Sequence, residues 1–271
     1  MPELPEVETT LRGVAPHIVG HTILECVLRT DKLRLPLEQT LCEVLPGQTI
    51  TKVERRAKYL LLFCEQGTII LHLGMSGSLR VLPAGTTEKK HDHVDLIFSS
   101  GQCLRLTDPR KFGLFIFTPE DPYQHKLLNH LGPEPLSDDF HGDYLYHTAR
   151  GRKLAVKQFI MDQKTVVGVG NIYANEALFQ AGIRPDRTAG KISATRYKRL
   201  VDAIREILHK AIGAGGTTIS DFNQADGKPG YFAQQLLVYG REGEECPQCG
   251  RPLLVTRLGQ RSTFYCRHCQ H

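Results

Sequence analysis

The chain has 271 residues, 41% hydrophobic and 23% charged, with a net charge of +5 and a pI near 8.7. That length suffices for two domains with sizeable cores, and the mild basicity leans towards a polyanionic partner. No run approaches the roughly 18 apolar residues of a membrane span, and the N-terminus lacks a signal-peptide pattern, so the cytoplasm is the expected compartment.

The chain opens Met1-Pro2-Glu3-Leu4-Pro5-Glu6-Val7-Glu8. Residues 5–19 carry Val7, Leu11, Val14 and Ile18 at helical spacing. Prolines and acids also suit the first turn of any helix, so the octet alone is compatible with an ordinary helix start. Removal of Met1 would expose Pro2 as a secondary amine, which titrates near pH ~8 and is partly nucleophilic at neutral pH. Such an amine attacking a sugar aldehyde gives an iminium, an electron sink for elimination, and Glu3 and Glu6 are close enough in sequence to move protons.

From about residue 22 to 117 short apolar or alternating runs read as strands, at 59–63, 69–73, 94–98, 103–106 and 114–117, punctuated by glycines. This spacing predicts a β-sandwich. Lys58 stands at the entrance of one such strand, where edge lysines also serve to block aggregation. His72-Leu73-Gly74-Met75-Ser76-Gly77 and Asp108-Pro109-Arg110-Lys111-Phe112-Gly113 read as turns. His91-Asp92-His93 has no further metal ligands nearby in sequence.

The run 131–137, with Gly132, Pro133 and Pro135, is the linker candidate, and beyond it the pattern turns helical. Helices are predicted at 153–161, at 171–180, and as an amphipathic stripe from Tyr197 to Ile212. Arg150, Arg152, Lys153 and Lys157 place four cations ahead of the turn Gly168-Val169-Gly170-Asn171, either a phosphate site beside a helix N-terminus or simply a solvated face. Gly215 to Phe232 is glycine-rich but lacks the P-loop pattern. Four of the eight cysteines, Cys246, Cys249, Cys266 and Cys269, form two C-x-x-C pairs, which predicts one structural Zn²⁺ in a Cys₄ site. Arg257, Arg261 and Arg267 lie in or beside the span between the pairs.

Taken together, the opening octet, Lys58, the Met75 and Arg110–Phe112 turns, Gly168-Val169-Gly170-Asn171-Ile172-Tyr173 and the zinc tail resemble the bacterial formamidopyrimidine-DNA glycosylase family along essentially the whole chain. The resemblance implies an α+β chain in three parts: a β-sandwich flanked by helices (1–131), a helix-two-turn-helix domain (132–240) and a zinc finger (241–271). It implies a monomeric, cytoplasmic, nucleoid-associated glycosylase and abasic-site lyase that excises oxidised purines from damaged double-stranded DNA. Pro2 would be the nucleophile and Glu3 its proton-transfer partner, Lys58 a proton donor and phosphate contact, and Arg261 an aid to the second elimination. Met75 and Phe112 would fill the space left by an everted base and Arg110 would read the orphan cytosine. His72, His91, Arg152, Lys157 and Asn171 would contact DNA, with Asn171 on a phosphate and Lys157 near the lesion. Gly215 to Phe232 resembles a loop that closes over the damaged base. Two rivals remain: a sister endonuclease for oxidised pyrimidines, which typically carries glycine at the position of Leu4, and a non-catalytic zinc-ribbon DNA-binding module.

Overall fold

A computed structural model describes residues 2–216 and 232–271. The expected closing loop falls almost wholly on 217–231, outside the described residues. The chain divides into two compact units. The first runs to Asn129 and takes in the described residues between Ala214 and Ala233; the second comprises His130–Gly213 and Gln234–His271.

The first unit opens with α1 (Leu4–Ile18). Glu3 is its N-cap and forms a capping box with Glu6, whose Oε2 accepts the Glu3 N–H at 2.8 Å. Pro5 occupies the first turn, where its missing N–H costs no helical bond. Then come β1 (Ile23–Leu28), the short α2 (Leu41–Val44), β2 (Ile50–Arg56), β3 (Tyr59–Cys64), β4 (Gly67–His72), β5 (Ser78–Pro83), β6 (Asp92–Phe98), β7 (Gln102–Thr107) and β8 (Leu114–Thr118). They form two antiparallel four-stranded sheets, ordered β1-β6-β7-β5 and β2-β3-β4-β8. This is the expected sandwich. Val7, Val14 and Ile18 of α1 join Leu60, Leu62, Ile69, Leu71, Leu96, Phe98, Leu104 and Leu106 in one apolar core. Each such fully buried side chain stabilises the unit by roughly 1.5–3 kcal/mol of transfer free energy. Among its buried polar residues is a cluster in which Arg105 binds Asp95 (2.7 and 2.8 Å) and Asp92 (3.4 Å) and also donates to the Thr86 and Thr87 carbonyls.

The second unit contains α3 (Gly142–Ala149), α4 (Val156–Met161), α5 (Asn171–Gln180) and α6 (Ala194–Gly213), followed by the hairpin β9 (Leu254–Leu258) and β10 (Arg261–Tyr265). The linker candidate is an ordered part of this unit: Val167 N–H bonds Pro133 O, and Arg205 of α6 donates to the carbonyls of Ser137 (2.7 Å) and Phe140 (2.8 Å). Helix α5 is buried on most faces and carries two polar residues into the interior. Asn175 donates to Asn171 O and accepts the Phe264 N–H at 2.8 Å. Glu176 accepts the backbone N–H groups of Leu237, Val238 and Tyr239 at 2.8–2.9 Å. Burial pushes the Glu176 carboxyl upward, and those three amides oppose the shift.

Candidate active site

In the first unit Pro2, Glu3 and Glu6 are all buried at the head of α1. One turn on, Glu8 accepts Arg55 Nε at 2.9 Å, and Arg55 Nη1 donates to Ala57 O at 3.0 Å. Burial alone would raise the Glu8 carboxyl, but hydrogen bonds from Arg55 and Arg12 outweigh it and hold the group below the usual carboxylate range. The chain Glu8–Arg55–Ala57 thus ties α1 to the two-residue β2–β3 turn, which presents Lys58. Ala57 takes a left-handed φ of 57° there, a conformation costing a non-glycine residue about 1–2 kcal/mol. Lys58 is buried, and its charge acts on His72.

His72 pairs across the sheet with Tyr59, their ring centroids 4.9 Å apart, and its Nδ1 accepts the Gly74 N–H at 2.9 Å. Burial first, then the Lys58 and Arg34 charges, lower its pKa to about 4, so the ring is neutral. Gly74, at φ +66°, brings the Met75 turn against the Phe112 turn: a Cβ there would lie 2.5 Å from Gly113 N and closer still to Phe112 C. Met75 is half-buried, whereas Phe112 is 48% exposed with the Arg110 guanidinium 5.0 Å from its ring centroid. A large exposed aromatic stacked under an exposed arginine suits a surface that meets bases. His91 lies beside these turns, since its carbonyl accepts the Asp108 N–H at 2.9 Å. The structure therefore brings His72, Met75, His91, Arg110 and Phe112 together.

In the second unit the expected four-cation cluster is divided. Arg150 stacks on Tyr146 and donates to Tyr146 O and Ile192 O, while Arg152 and Lys153 are exposed. Lys157 is buried, and its Nζ donates to Ser262 O (2.8 Å) and Thr263 Oγ1 (2.7 Å). Asn171 Nδ2 reaches the same Ser262 carbonyl at 3.1 Å, and its Oδ1 is buried without a hydrogen-bond partner. These side chains hold the hairpin whose turn, Gly259 (φ 55°) and Gln260 (φ 62°), precedes Arg261. Two left-handed residues make the tight two-residue turn that matches strand twist. Arg261 is exposed and shares a pocket of about 220 Å³ with Lys157, Gln158 and Gly259.

The Sγ atoms of Cys246, Cys249, Cys266 and Cys269 all lie within 4.8 Å of one another, with Cys246–Cys269 at 3.8 Å and Cys249–Cys266 at 3.6 Å. A tetrahedron with Zn–S bonds of about 2.3 Å has edges of about 3.8 Å, so the four thiols fit zinc as they stand. The Arg251 backbone N–H brings Cys249 down to about 7, favouring the thiolate a metal needs. Gln270 closes the second knuckle by accepting Cys266 N–H and donating to Ile183 O, both at 2.8 Å.

Family models match in three segments: the N-terminal domain of formamidopyrimidine-DNA glycosylase over residues 1–115, its H2TH domain over 131–223, and a zinc finger found in FPG and IleRS over 243–271. The formamidopyrimidine-DNA glycosylase of Geotalea uraniireducens is 55% identical over 271 residues, covering 100% of both chains. The chain belongs to the formamidopyrimidine-DNA glycosylase family. The Escherichia coli member is 56% identical over 270 residues, again covering both chains in full. Among solved structures, MutM (FPG) from Thermus thermophilus superposes with a TM-score of 0.87 at 37% identity, over 99% of this chain and 98% of that one. A Lactococcus lactis FPG variant in complex with Fapy-dG-containing DNA gives 0.91 at 33% identity, with 100% of each chain covered. The zinc-finger match and the thiol geometry agree on one structural Zn²⁺ held by the four cysteines.

Sequence reasoning did not show how Asp108 and His93 are bonded: Asp108 is fully buried with both carboxylate oxygens accepting, and the Nε2 of His93 lies 3.0 Å from the Asp108 carbonyl. Asp108 precedes Pro109, a common turn-initiating pair, which was the available signal. His93 stood out only as part of His91-Asp92-His93; it lies at a register shift between Asp92 and Val94 that the sequence does not announce.

Proposed function

We infer that the protein is a bifunctional DNA glycosylase and abasic-site lyase of base excision repair, acting on oxidised purines in damaged duplex DNA. The observation that carries this reading is the buried Pro2-Glu3 head of α1, locked by a capping box, in a chain that matches the family from end to end. Once Met1 is removed, the Pro2 amine attacks C1′ and the bond from C1′ to the base breaks. The base leaves with a proton, and Glu3 delivers a proton to the opening sugar. The resulting iminium acidifies the C2′ hydrogen; as that proton passes to solvent the C3′–O bond breaks and the 3′ phosphate leaves, and loss of the C4′ proton then breaks the C5′–O bond and releases the 5′ phosphate. Lys58 serves the first elimination as proton donor and phosphate contact, and Arg261 serves the second.

The reacting carbon is shielded in a duplex, so the damaged nucleotide must be turned out. Met75 and Phe112 fill the gap, Arg110 reads the orphan cytosine, and His72 and His91 contact the strand beside it. Arg152 and Asn171 hold phosphates. Lys157 serves the site through the hairpin it grips, because its amine already bonds Ser262 and Thr263. When bound, zinc supplies a rigid cross-link: four thiolates leave no open coordination position, so it takes no chemical step. We keep the division into 1–131, 132–240 and 241–271 as the functional partition, and place the protein in the bacterial cytoplasm, on the nucleoid where its substrate lies.

Glu3→Gln tests the reading, since it removes proton transfer at nearly constant size. Excision of 8-oxoguanine should fall by about 10²-fold or more, the range of a lost general acid. Cleavage of a preformed abasic site should fall much less, because the base has already gone. Equal losses on the two substrates would contradict the assigned role.

A further inference from the structure

One buried carboxylate lies under the whole face assigned to the duplex gap. Asp108 is 0% exposed. Its Oδ2 accepts the Gly113 N–H at 2.7 Å, directly after Phe112, and its Oδ1 accepts the Arg110 N–H and the Ser76 hydroxyl, each at 3.3 Å. Its main chain is held as firmly. Asp108 N–H bonds His91 O at 2.9 Å, and Asp108 O lies 3.0 Å from His93 Nε2. A carbonyl only accepts, so His93 Nε2 carries the proton. Burial, with Lys111 and His91 nearby, lowers the His93 pKa against that hydrogen bond, keeping the ring neutral and singly protonated. Gly113 shows how tight the arrangement is, since a Cβ there would lie 2.9 Å from Asp108 Oδ2 and 3.1 Å from His72 O.

We propose that Asp108 is the positioning residue that joins the Met75, His91 and Arg110–Phe112 turns into one rigid gap-filling face. This inference rests on assigning Met75, Arg110 and Phe112 to the duplex gap. Each of the three turns is a short irregular segment that would otherwise sample several conformations. Insertion into a base stack requires Met75 and Phe112 to arrive together, with Arg110 already oriented, or the ordering cost is met at the moment of extrusion. A carboxylate suits the task because it accepts on both oxygens at once. An asparagine of the same shape cannot do so: its NH₂ must face either the Gly113 N–H or the Ser76–Arg110 pair, which breaks one arm.

The test compares wild type with Asp108→Asn, Ser76→Ala and Phe112→Ala in the full-length zinc-loaded protein. Three rates are read: single-turnover excision of 8-oxoguanine opposite cytosine, the same opposite adenine, and cleavage of a preformed abasic duplex. For Asp108→Asn, excision opposite cytosine should fall by about tenfold, equivalent to about 1.4 kcal/mol in the barrier. Cytosine-over-adenine discrimination should shrink with it, while abasic cleavage stays within about threefold of wild type. Ser76→Ala, which removes one donor and no charge, should show a weaker version of this pattern with an unchanged melting temperature. If Asp108→Asn does not accumulate as folded protein, Ser76→Ala carries the test alone.

A selective defect in Phe112→Ala beside wild-type excision and discrimination in the Asp108 and Ser76 variants would overturn the inference. So would a parallel loss on both substrates that tracks a fall in melting temperature. A Phe112→Ala variant that loses both activities equally would instead remove the gap-filling assignment, and the inference with it.

Discussion

His72 makes the first unit sensitive to acid in a way that can be calculated. Its ring must be neutral in the fold, because Nδ1 accepts the Gly74 N–H and protonation would replace that lone pair with a second donor. Burial, Lys58 and Arg34 set its folded pKa at about 4, against about 6.5 in an unfolded chain. Between those values the unfolded chain binds the proton and the folded one does not, so stability is full above the unfolded value and declines as pH falls. Over the step from about pH 7 to pH 5 the linkage amounts to about 2 kcal/mol, with most of a further kcal/mol lost by about pH 4. The assay is urea denaturation of wild type and His72→Asn at several pH values; asparagine retains an acceptor near Nδ1 without titrating. The wild-type-minus-variant stability should fall by about 2 kcal/mol from pH 7 to pH 5. Parallel pH dependence in the two proteins would refute the reasoning. The effect should reach function too, since Gly74 packs against the Phe112–Gly113 backbone.

Cys249→Ser should purify without zinc and lose affinity for DNA while the sandwich unit remains folded; elemental analysis finding zinc still bound at one per chain would contradict the four-thiolate assignment. Gly259→Ala adds a Cβ 2.6 Å from Gln158 Nε2 at a φ of 55°, which should cost about 1–2 kcal/mol in thermal unfolding and slow the second elimination as the turn before Arg261 shifts. Product analysis on abasic DNA should show the once-eliminated species accumulating, and an unchanged product ratio would count against Arg261 in that step.

Local patterns carried the fold well. Helix α5 coincides with its expected span of 171–180, and the α6 stripe was visible because one face alone is apolar. The five strands at 59–63, 69–73, 94–98, 103–106 and 114–117 were legible as short apolar runs and extend by a residue or two at most ends. By contrast, β1 and β2 were hidden inside a broad strand-rich reading, because exposed Glu25 and Lys52 and half-buried Glu54 interrupt the apolar pattern. Helix α3 escaped notice because only Gly142, Leu145 and Ala149 are buried along it. In the candidate site the paired cysteines were readable from their spacing, and the structure gathers their four thiols. Pro2, Arg110 and Phe112 were conspicuous by residue type, and the structure buries Pro2 at the head of α1 and sets the Arg110 guanidinium 5.0 Å from the Phe112 ring. What could not be read was how polar groups are used. Arg150 and Lys157 look like surface cations in sequence, yet both donate to backbone carbonyls of distant segments. Asp108 looks like turn punctuation, and it does accept from Arg110 and Gly113 of its own turn, yet it also accepts from Ser76 of a turn that only the sandwich brings beside it.

The central claim is that Pro2 forms the covalent bond to the damaged nucleoside. Reaction of the Met1-free protein with 8-oxoguanine duplex in the presence of borohydride, followed by peptide mapping, addresses it directly. The account predicts a stable protein–DNA adduct on the N-terminal peptide at Pro2, and none when one uncleavable residue precedes Pro2. An adduct on Lys58 or any other lysine, with the N-terminal peptide unmodified, would contradict it.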